Sequence, residues 1–338
     1  MVLLSIISPF YNSEHKCKRL LDTIACIDDS LVEIILVDDG STDSTMSLLQ
    51  QFQQRARTKT NVLSQDNRGP GGARNTGCLA ARGKYVWFVD SDDNISIDAI
   101  DFLKLQADNE FDFIDFDIVS NGQRENSMSL SPGSYFGGTI FRDSLIDNFG
   151  RIWSKIIRRD FIVNNKIFYP EFCIYEDNAL GFIYPLFVHK FYKADVVGYM
   201  HNTEFDSVTR STITPRYFDR LHTAVYGIQR SYRIARDTDR ARFKVKFIRL
   251  YLINTIGQAL GRFPNRHWIS ICYVMKFYRQ FARDFDIKIS PFSLIAGSYK
   301  FRAVIRSLWL LSYLLPEQPD YFTRMRLRSW GRPINFVE

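Results

Sequence analysis

The chain has no long hydrophobic run. Its longest charge-free apolar stretch near the end, Ser307 to Leu315, falls well short of the roughly 18 to 20 residues a membrane-spanning helix requires, so no span is expected. Val2 to Phe10 is too short for a secretory leader and lacks a basic start and a small-residue cleavage site; it reads as a first strand. Cysteine is scarce. Cys17, Cys26, Cys78, Cys173 and Cys272 are an odd number without a C-x-x-C pair, which speaks against a disulfide framework or a zinc site and for a reducing cytoplasm. Internal repeats and low-complexity tracts are also missing, so a repeat scaffold is not expected.

Core-forming residues are abundant. Of 338 residues 46% are hydrophobic and 15% aromatic, with 28 Phe and 17 Tyr, enough to exclude disorder and leave apolar side chains for a further surface. The length exceeds one ordinary domain and predicts a large domain with an appended module. Charge divides the same way. Residues 1–215 hold 21 Lys and Arg against 29 Asp and Glu, whereas residues 216–338 hold 23 against 8, giving −8 and +15.

Short apolar runs at Leu3 to Ser8, Glu33 to Val37, Asn61 to Gln65 and Tyr85 to Val89 alternate with helical stretches from about Ser13, Ser44 and Ala73. This βα alternation predicts an α/β domain with a largely parallel sheet and right-handed crossovers. Phe113 to Val119 alternates Ile114, Phe116 and Ile118 with Asp115 and Asp117, the period of a strand with one wetter face. Asn67 to Gly72 and Ser131 to Ser134 read as loops, Trp153 to Ile157 as a strand and Asp177 to Phe187 as a helix opened by acids. Beyond Pro215 the pattern is helical, about Tyr217 to Arg236, Ala241 to Leu260, Trp268 to Phe285 and Phe301 to Leu315.

Asp90-Ser91-Asp92-Asp93 follows the buried strand at Tyr85 to Val89, at the carboxyl edge where open α/β sheets bind ligands. Three acids there accumulate repulsion that a hard dication bound through carboxylates and substrate phosphates would relieve. Asp38-Asp39-Gly40-Ser41-Thr42-Asp43 ends the second strand; turn formation and helix capping account for Asp38 and Asp43 as well as ligand contact does. The run Asn67-Arg68-Gly69-Pro70-Gly71-Gly72, with Arg74, suits a cradle for base and diphosphate, or a tight turn with Arg74 paired to a neighbouring acid.

Taken together and in this order, Ser8-Pro9-Phe10-Tyr11-Asn12, Val37-Asp38-Asp39, Asn67-Arg68-Gly69-Pro70, Ala73-Arg74-Asn75 and Asp90-Ser91-Asp92-Asp93 resemble family 2 of the glycosyltransferases over about residues 2–210. The resemblance implies a GT-A fold, inverting chemistry and a Mn²⁺ or Mg²⁺ cofactor. It implies a nucleotide-sugar site with Pro9, Tyr11, Asp39, Asn67, Arg74, Asp90 and Ser91, and a metal held by Asp92. Glu176-Asp177 corresponds to the family's acidic pair, with Asp177 as the base that deprotonates the acceptor. His201 would complete the metal site, although many members carry Arg there. Glu176, Ser207 and Arg210 would contact phosphate or the acceptor, and Trp153 would stand on the acceptor side or pack in the core. A GT-A domain is expected over 1–212, with a nucleotide-sugar half to about residue 95, and a helical basic region over 213–338.

The implied activity is transfer from a UDP-sugar to a glycan or polyprenyl-diphosphate-linked saccharide in bacterial surface polysaccharide (O-antigen or capsule) synthesis. A teichoic-acid or protein-modifying transferase and a non-catalytic scaffold on the same fold are the alternatives. Arg302, Arg306, Arg324, Arg326, Arg328 and Arg332 lie among Trp309, Tyr313, Tyr321, Phe322 and Trp330, a mixture suited to an anionic membrane surface, to packing on the acidic half, or to burial in a homo-oligomer. No nucleic-acid-binding motif accompanies them, and nucleic acid is not an expected partner.

Overall fold

The computed structural model describes residues 1–137, 139–149, 151–203, 215–262, 268–288, 299–330 and 332–337. The chain forms two compact units, residues 1–211 with 335–338, and residues 212–334.

The first unit is built on a ten-stranded mixed sheet. Strands β1 (Leu4–Phe10), β2 (Val32–Asp38), β3 (Lys59–Ser64) and β4 (Tyr85–Phe88) run parallel in the order β3-β2-β1-β4. Helices α1 (Lys18–Ala25), α2 (Thr45–Arg55) and α3 (Gly69–Ala80) connect them. After β4 come a short β5 (Asn94–Ile95) and α4 (Ile97–Gln106). β2 and β4 are buried along their whole length, which explains why they are largely apolar: a strand covered on both faces has no solvent side, and the one charge inside β2, Glu33, is buried and accepts from Ser5 Oγ at 2.7 Å. The register sets Phe10 beside Asp38, and Val89 N–H donates to Ile7 O at 2.9 Å, so the carboxyl ends of β1, β2 and β4 share one edge.

The sheet continues through β6 (Phe113–Ser120), β9 (Lys155–Arg158) and β10 (Lys190–His201). β9 is antiparallel to β4 and β6, β10 is parallel to β6, and β5 pairs antiparallel with β10, directly after the acidic loop. Two short strands, β7 (Gln123–Glu125) and β8 (Gly133–Phe136), pair with β6 and β10. Helices α5 (Thr139–Asn148), α6 (Arg159–Asn164) and α7 (Asp177–Phe187) complete the unit. Trp87 and Phe116 stack in the core at 6.2 Å, and Trp87 Nε1 donates to the Trp153 carbonyl at 2.9 Å.

Several local expectations are corrected. The stretch expected as a loop through Gly72 is already helix from Gly69, because Pro70 suits a first turn where an N–H has no intrahelical partner anyway. Trp153 lies in a 3₁₀ turn (Ile152–Ser154) ahead of β9. Ser131 to Ser134 was expected as loop, but β8 begins at Gly133, whose pairing with Lys193 of β10 decides its state. Asp115 and Asp117 are not on a wet face: both are buried, and lysines from neighbouring strands answer their charges, Lys155 Nζ 2.8 Å from Asp115 and Lys193 Nζ 2.5 Å from Asp117.

The second unit is helical, with helices Asp219–Ile234, Asp237–Phe247, Thr255–Arg262, Trp268–Asp284, Tyr299–Leu311 and Tyr321–Trp330. A π-helical segment, Ile248–Asn254, interrupts the continuous helix expected over Ala241 to Leu260. Helix Trp268–Asp284 buries Ile271, Cys272, Val274, Met275 and Tyr278, and Tyr251 packs against Tyr278 at 6.3 Å.

Candidate active site

Asp39 follows the last residue of β2, and its N–H donates to Phe10 O at 2.8 Å, fixing it beside the end of β1. Gly40 turns the chain there with φ of +74°, and a Cβ would stand 2.9 Å from Asn67 N, so the turn closes on the loop before α3. The Asp39 carboxylate is buried and accepts from Gln65 Nε2 at 2.6 Å and Arg68 N–H at 2.9 Å. Burial nevertheless raises its pKa to about 6.

Arg74 joins two other loops. Its Nη2 lies 2.7 Å from Asp90 Oδ1, its Nη1 donates to Glu176 Oε1, and its guanidinium sits 5.2 Å from the Tyr169 ring centroid. One side chain thus ties α3 to the acidic loop after β4 and to the acidic pair at the start of α7. Its surroundings hold it in place. Asn75 exchanges two 2.9 Å hydrogen bonds with the Tyr169 backbone, and Arg68 Nη1 reaches Glu171 at 3.1 Å. Gly71 lets the loop approach: a Cβ there would stand 2.3 Å from Pro170 O.

In the acidic loop each residue has a different environment. Asp90 N–H donates to Tyr199 Oη at 3.1 Å, and Tyr199 Oη donates to Asp93 Oδ2 at 2.7 Å. Asp93 also accepts from Asn202 N–H at 2.7 Å and thereby fastens the end of β10; burial and the charge of Asp90 push its pKa up to about 8. Ser91 Oγ lies 3.1 Å from Ser13 Oγ. Asp92 is raised by burial and by Asp90, against the lowering influence of Lys16 and His201. His201 ends β10, with Nδ1 3.2 Å from Ser120 Oγ and its ring stacked on Trp153 at 5.7 Å; Trp153 stacks in turn on Tyr199 at 4.3 Å.

Glu176 is buried on Arg74, and burial, followed by the charge of Asp177, favours its protonated form against the pull of Arg74. Asp177, the first residue of α7, is exposed. Pro9 lies in β1 opposite Val37, Tyr11 is 45% exposed, and Asn67 Oδ1 accepts from Gly69 N–H at 3.2 Å. Ser207 and Arg210 lie outside the described residues.

Direct bonds therefore bring Arg74, Asp90 and Glu176 together, and electrostatics link Asp92 with His201. Gln65, Arg68, Glu171 and Tyr199 belong to the same network and were not singled out by sequence. The polar run Gln65-Asp66-Asn67-Arg68 after β3 was a usable signal; Tyr199, whose partners lie 106 and 109 residues away, gave none. Among the described residues no three His, Cys, Asp or Glu groups converge as a preformed metal cage. A dication held by one carboxylate and donor phosphates does not require one; Asp92 is raised first by burial and second by the charge of Asp90, and it is the second influence that a dication would relieve.

Carboxylates at the ends of β2 and β4, which flank β1, with the amino end of α3 beside them, sit at the carboxyl edge where open α/β sheets take ligands. The chain belongs to glycosyl transferase family 2, whose model matches residues 5–181, more than half its length. It is 29% identical over 174 residues to poly(ribitol-phosphate) beta-N-acetylglucosaminyltransferase TarS of Staphylococcus aureus, covering 51% of this chain and 30% of that protein. The matched segment thus spans under a third of that relative. Among solved structures, S. aureus TarS 1–349 in complex with UDP-GlcNAc superposes with a TM-score of 0.64 at 22% identity, covering 98% of this chain and 93% of that one. The mannosyltransferase PcManGT of Pyrobaculum calidifontis, in complex with GDP-Man and Mn²⁺, gives 0.50 at 14% identity, covering 92% and 86%. The expected GT-A fold with a helical C-terminal region is borne out.

Proposed function

We propose that the chain is an inverting glycosyltransferase that moves a sugar from a UDP-sugar to a hydroxyl of a bacterial surface polysaccharide, with residues 1–212 as the catalytic domain. One observation carries this reading: Arg74 holds Asp90 and Glu176 on one guanidinium, 2.7 Å from Asp90 Oδ1, so the acidic loop and the acidic pair face one site.

Asp39 accepts from the uracil N–H, within a loop framed by Asn67 and by Pro9 and Tyr11. Asp90 and Ser91 bind the ribose side. Asp92, with His201, would hold Mn²⁺ or Mg²⁺, which when bound stabilises the departing diphosphate. Glu176 is committed to Arg74 and serves as a positioning residue. Exposed Asp177 takes the proton of the acceptor hydroxyl as that oxygen bonds to the sugar C1 from the face opposite UDP and the C1–O bond to UDP breaks. Trp153 stands on the acceptor side, and Ser207 and Arg210 are assigned to the diphosphate.

For the acceptor, a glycan or polyprenyl-diphosphate-linked saccharide of O-antigen or capsule synthesis is the first reading. A polyol-phosphate polymer is the second, favoured by the likeness to a poly(ribitol-phosphate) transferase. Incubation with Mn²⁺, each common UDP-sugar and either acceptor, followed by mass analysis of the product, separates the two. Transfer to the lipid-linked saccharide alone removes the second reading, and transfer to the polymer alone removes the first.

A further inference from the structure

The second unit presents an apolar stripe that its own core does not use. In helix Tyr299–Leu311 and the turn after it, Ile305, Leu308 and Ser312 face inward and are buried. Val304, Leu310, Leu311 and Leu314 are exposed by 40%, 68%, 52% and 80%, and exposed Ala303 and Ser307 fill the positions between them. Val304, Ser307 and Leu311 stand at i, i+3 and i+7, with Ala303 and Leu310, seven residues apart, beside them, so within the helix they share one face about 10 Å long at 1.5 Å per residue, and Leu314 follows in the turn after Leu311. Arg302 and Arg306 are exposed along its border. Tyr313, 60% exposed, lies at its end with the Arg279 guanidinium 3.7 Å from its ring centroid.

Apart from Tyr313, the described aromatic side chains named from composition are turned into the helical core. Phe322 is buried, stacked on Phe218 at 5.2 Å, and Tyr321 is stacked on Tyr273 at 4.0 Å. Trp309 packs 6.0 Å from Tyr278. Those rings build the helical core, whereas the leucines face out. The side chains of Arg326, Arg328 and Trp330 lie outside the described set.

We propose that the Val304–Leu314 face is a lipid-docking surface, with the helix lying in the plane of an anionic bilayer. An amphipathic helix bordered by arginine buries its leucines at the acyl boundary while its cations meet anionic headgroups. Charge decides the occupant. Residues 216–338 carry a net +15, so a second copy of the same face would bring like charges together, whereas an anionic membrane neutralises them. Among the described residues no helix is long and apolar enough to cross a membrane, which fits a helix that lies on one.

The test uses the full chain and sucrose-loaded vesicles of phosphatidylcholine, alone or mixed with phosphatidylglycerol, and is independent of any transferase activity. Co-sedimentation is expected with the mixed vesicles and not with phosphatidylcholine alone, weakening as salt rises. Leu310→Glu with Leu314→Glu should reduce vesicle affinity by about tenfold or more, and Arg306→Glu by several-fold. Circular dichroism of each variant should match the parent, because the substituted side chains are exposed. Failure of the parent to bind mixed vesicles would overturn the proposal. So would undiminished binding by the folded double variant, or a parent self-association that the double variant abolishes while vesicle binding persists.

Discussion

Two buried charge clusters in the first unit differ in their balance. Asp115, Asp117, Lys155 and Lys193 form a set of two acids and two bases in the sheet, with Asp115, Lys155 and Lys193 side chains fully buried. Ser154 Oγ donates to Asp115 at 2.9 Å and Arg124 Nε to Asp117 at 2.8 Å, so the hydrogen-bonding capacity is also occupied. At the candidate site Arg74 pairs with Asp90 and Glu176, the charge of Asp90 acts on Asp92 and Asp93, that of Asp177 acts on Glu176, Lys16 acts on Asp92, and Asp90 is still 30% exposed. There Asp92, Asp93 and Glu176 are all raised, first by burial and then by like charge. A structural cluster closes its charge account internally, whereas the site keeps an acidic excess that a cationic ligand can relieve.

The comparison is tested most severely by Asp177→Asn. Loss of a general base should lower turnover by about 10³-fold while unfolding free energy changes by less than about 0.5 kcal/mol, since the side chain is exposed. Lys155→Met should do the reverse. It leaves Asp115 buried without its nearest cation and should destabilise the fold by about 3–5 kcal/mol in urea unfolding, with UDP affinity kept by the folded fraction. If Lys155→Met removed UDP binding from folded protein, the division between structural and functional clusters would fail. Gly71→Ala sharpens the boundary: its Cβ would meet Pro170 O at 2.3 Å, and pushing the loop away should lower stability by about 1–3 kcal/mol and weaken the Arg74 bridge, seen as a parallel loss of UDP affinity.

The smallest effect is in pH. Asp39, with a folded pKa of about 6 against an ordinary 3.8, must be ionised to accept from the base, so UDP affinity should fall about tenfold between pH 7 and pH 5, a dependence Asp39→Asn should remove. The stability sign is opposite. A carboxyl raised on folding stabilises the fold when protonated, so its contribution is fully present below about pH 4 and is lost as pH rises through 6. Titration of UDP by calorimetry at several pH values measures the first effect and urea unfolding the second.

Much of the architecture through β4 was legible because its strands are short apolar runs and several end in a polar signal: Asp38-Asp39 at the end of β2, Gln65 to Arg68 after β3, Asp90 to Asp93 after β4. Features made by distant partners were not. Alternation placed Asp115 and Asp117 on a wet face, since nothing local discloses that Lys155 and Lys193 arrive from β9 and β10. Glu176 and Asp177 were visible as a pair, but not their different surroundings: Glu176 is buried on Arg74, 102 residues earlier, and Asp177 is exposed. The aromatic tail misdirected attention for a similar reason: composition cannot distinguish rings that fill a helical core from leucines that leave it.

The most direct measurement is nucleotide release from a panel of UDP-, GDP- and dTDP-sugars with Mn²⁺, on the parent protein, Asp92→Ala and Asp177→Asn, each paired with a thermal shift. The account predicts release from one UDP-sugar by the parent, loss of both release and metal-dependent stabilisation in Asp92→Ala, and loss of release with stabilisation retained in Asp177→Asn. A folded parent that neither releases nor is stabilised by any nucleotide sugar would contradict it and leave a scaffold on a transferase fold.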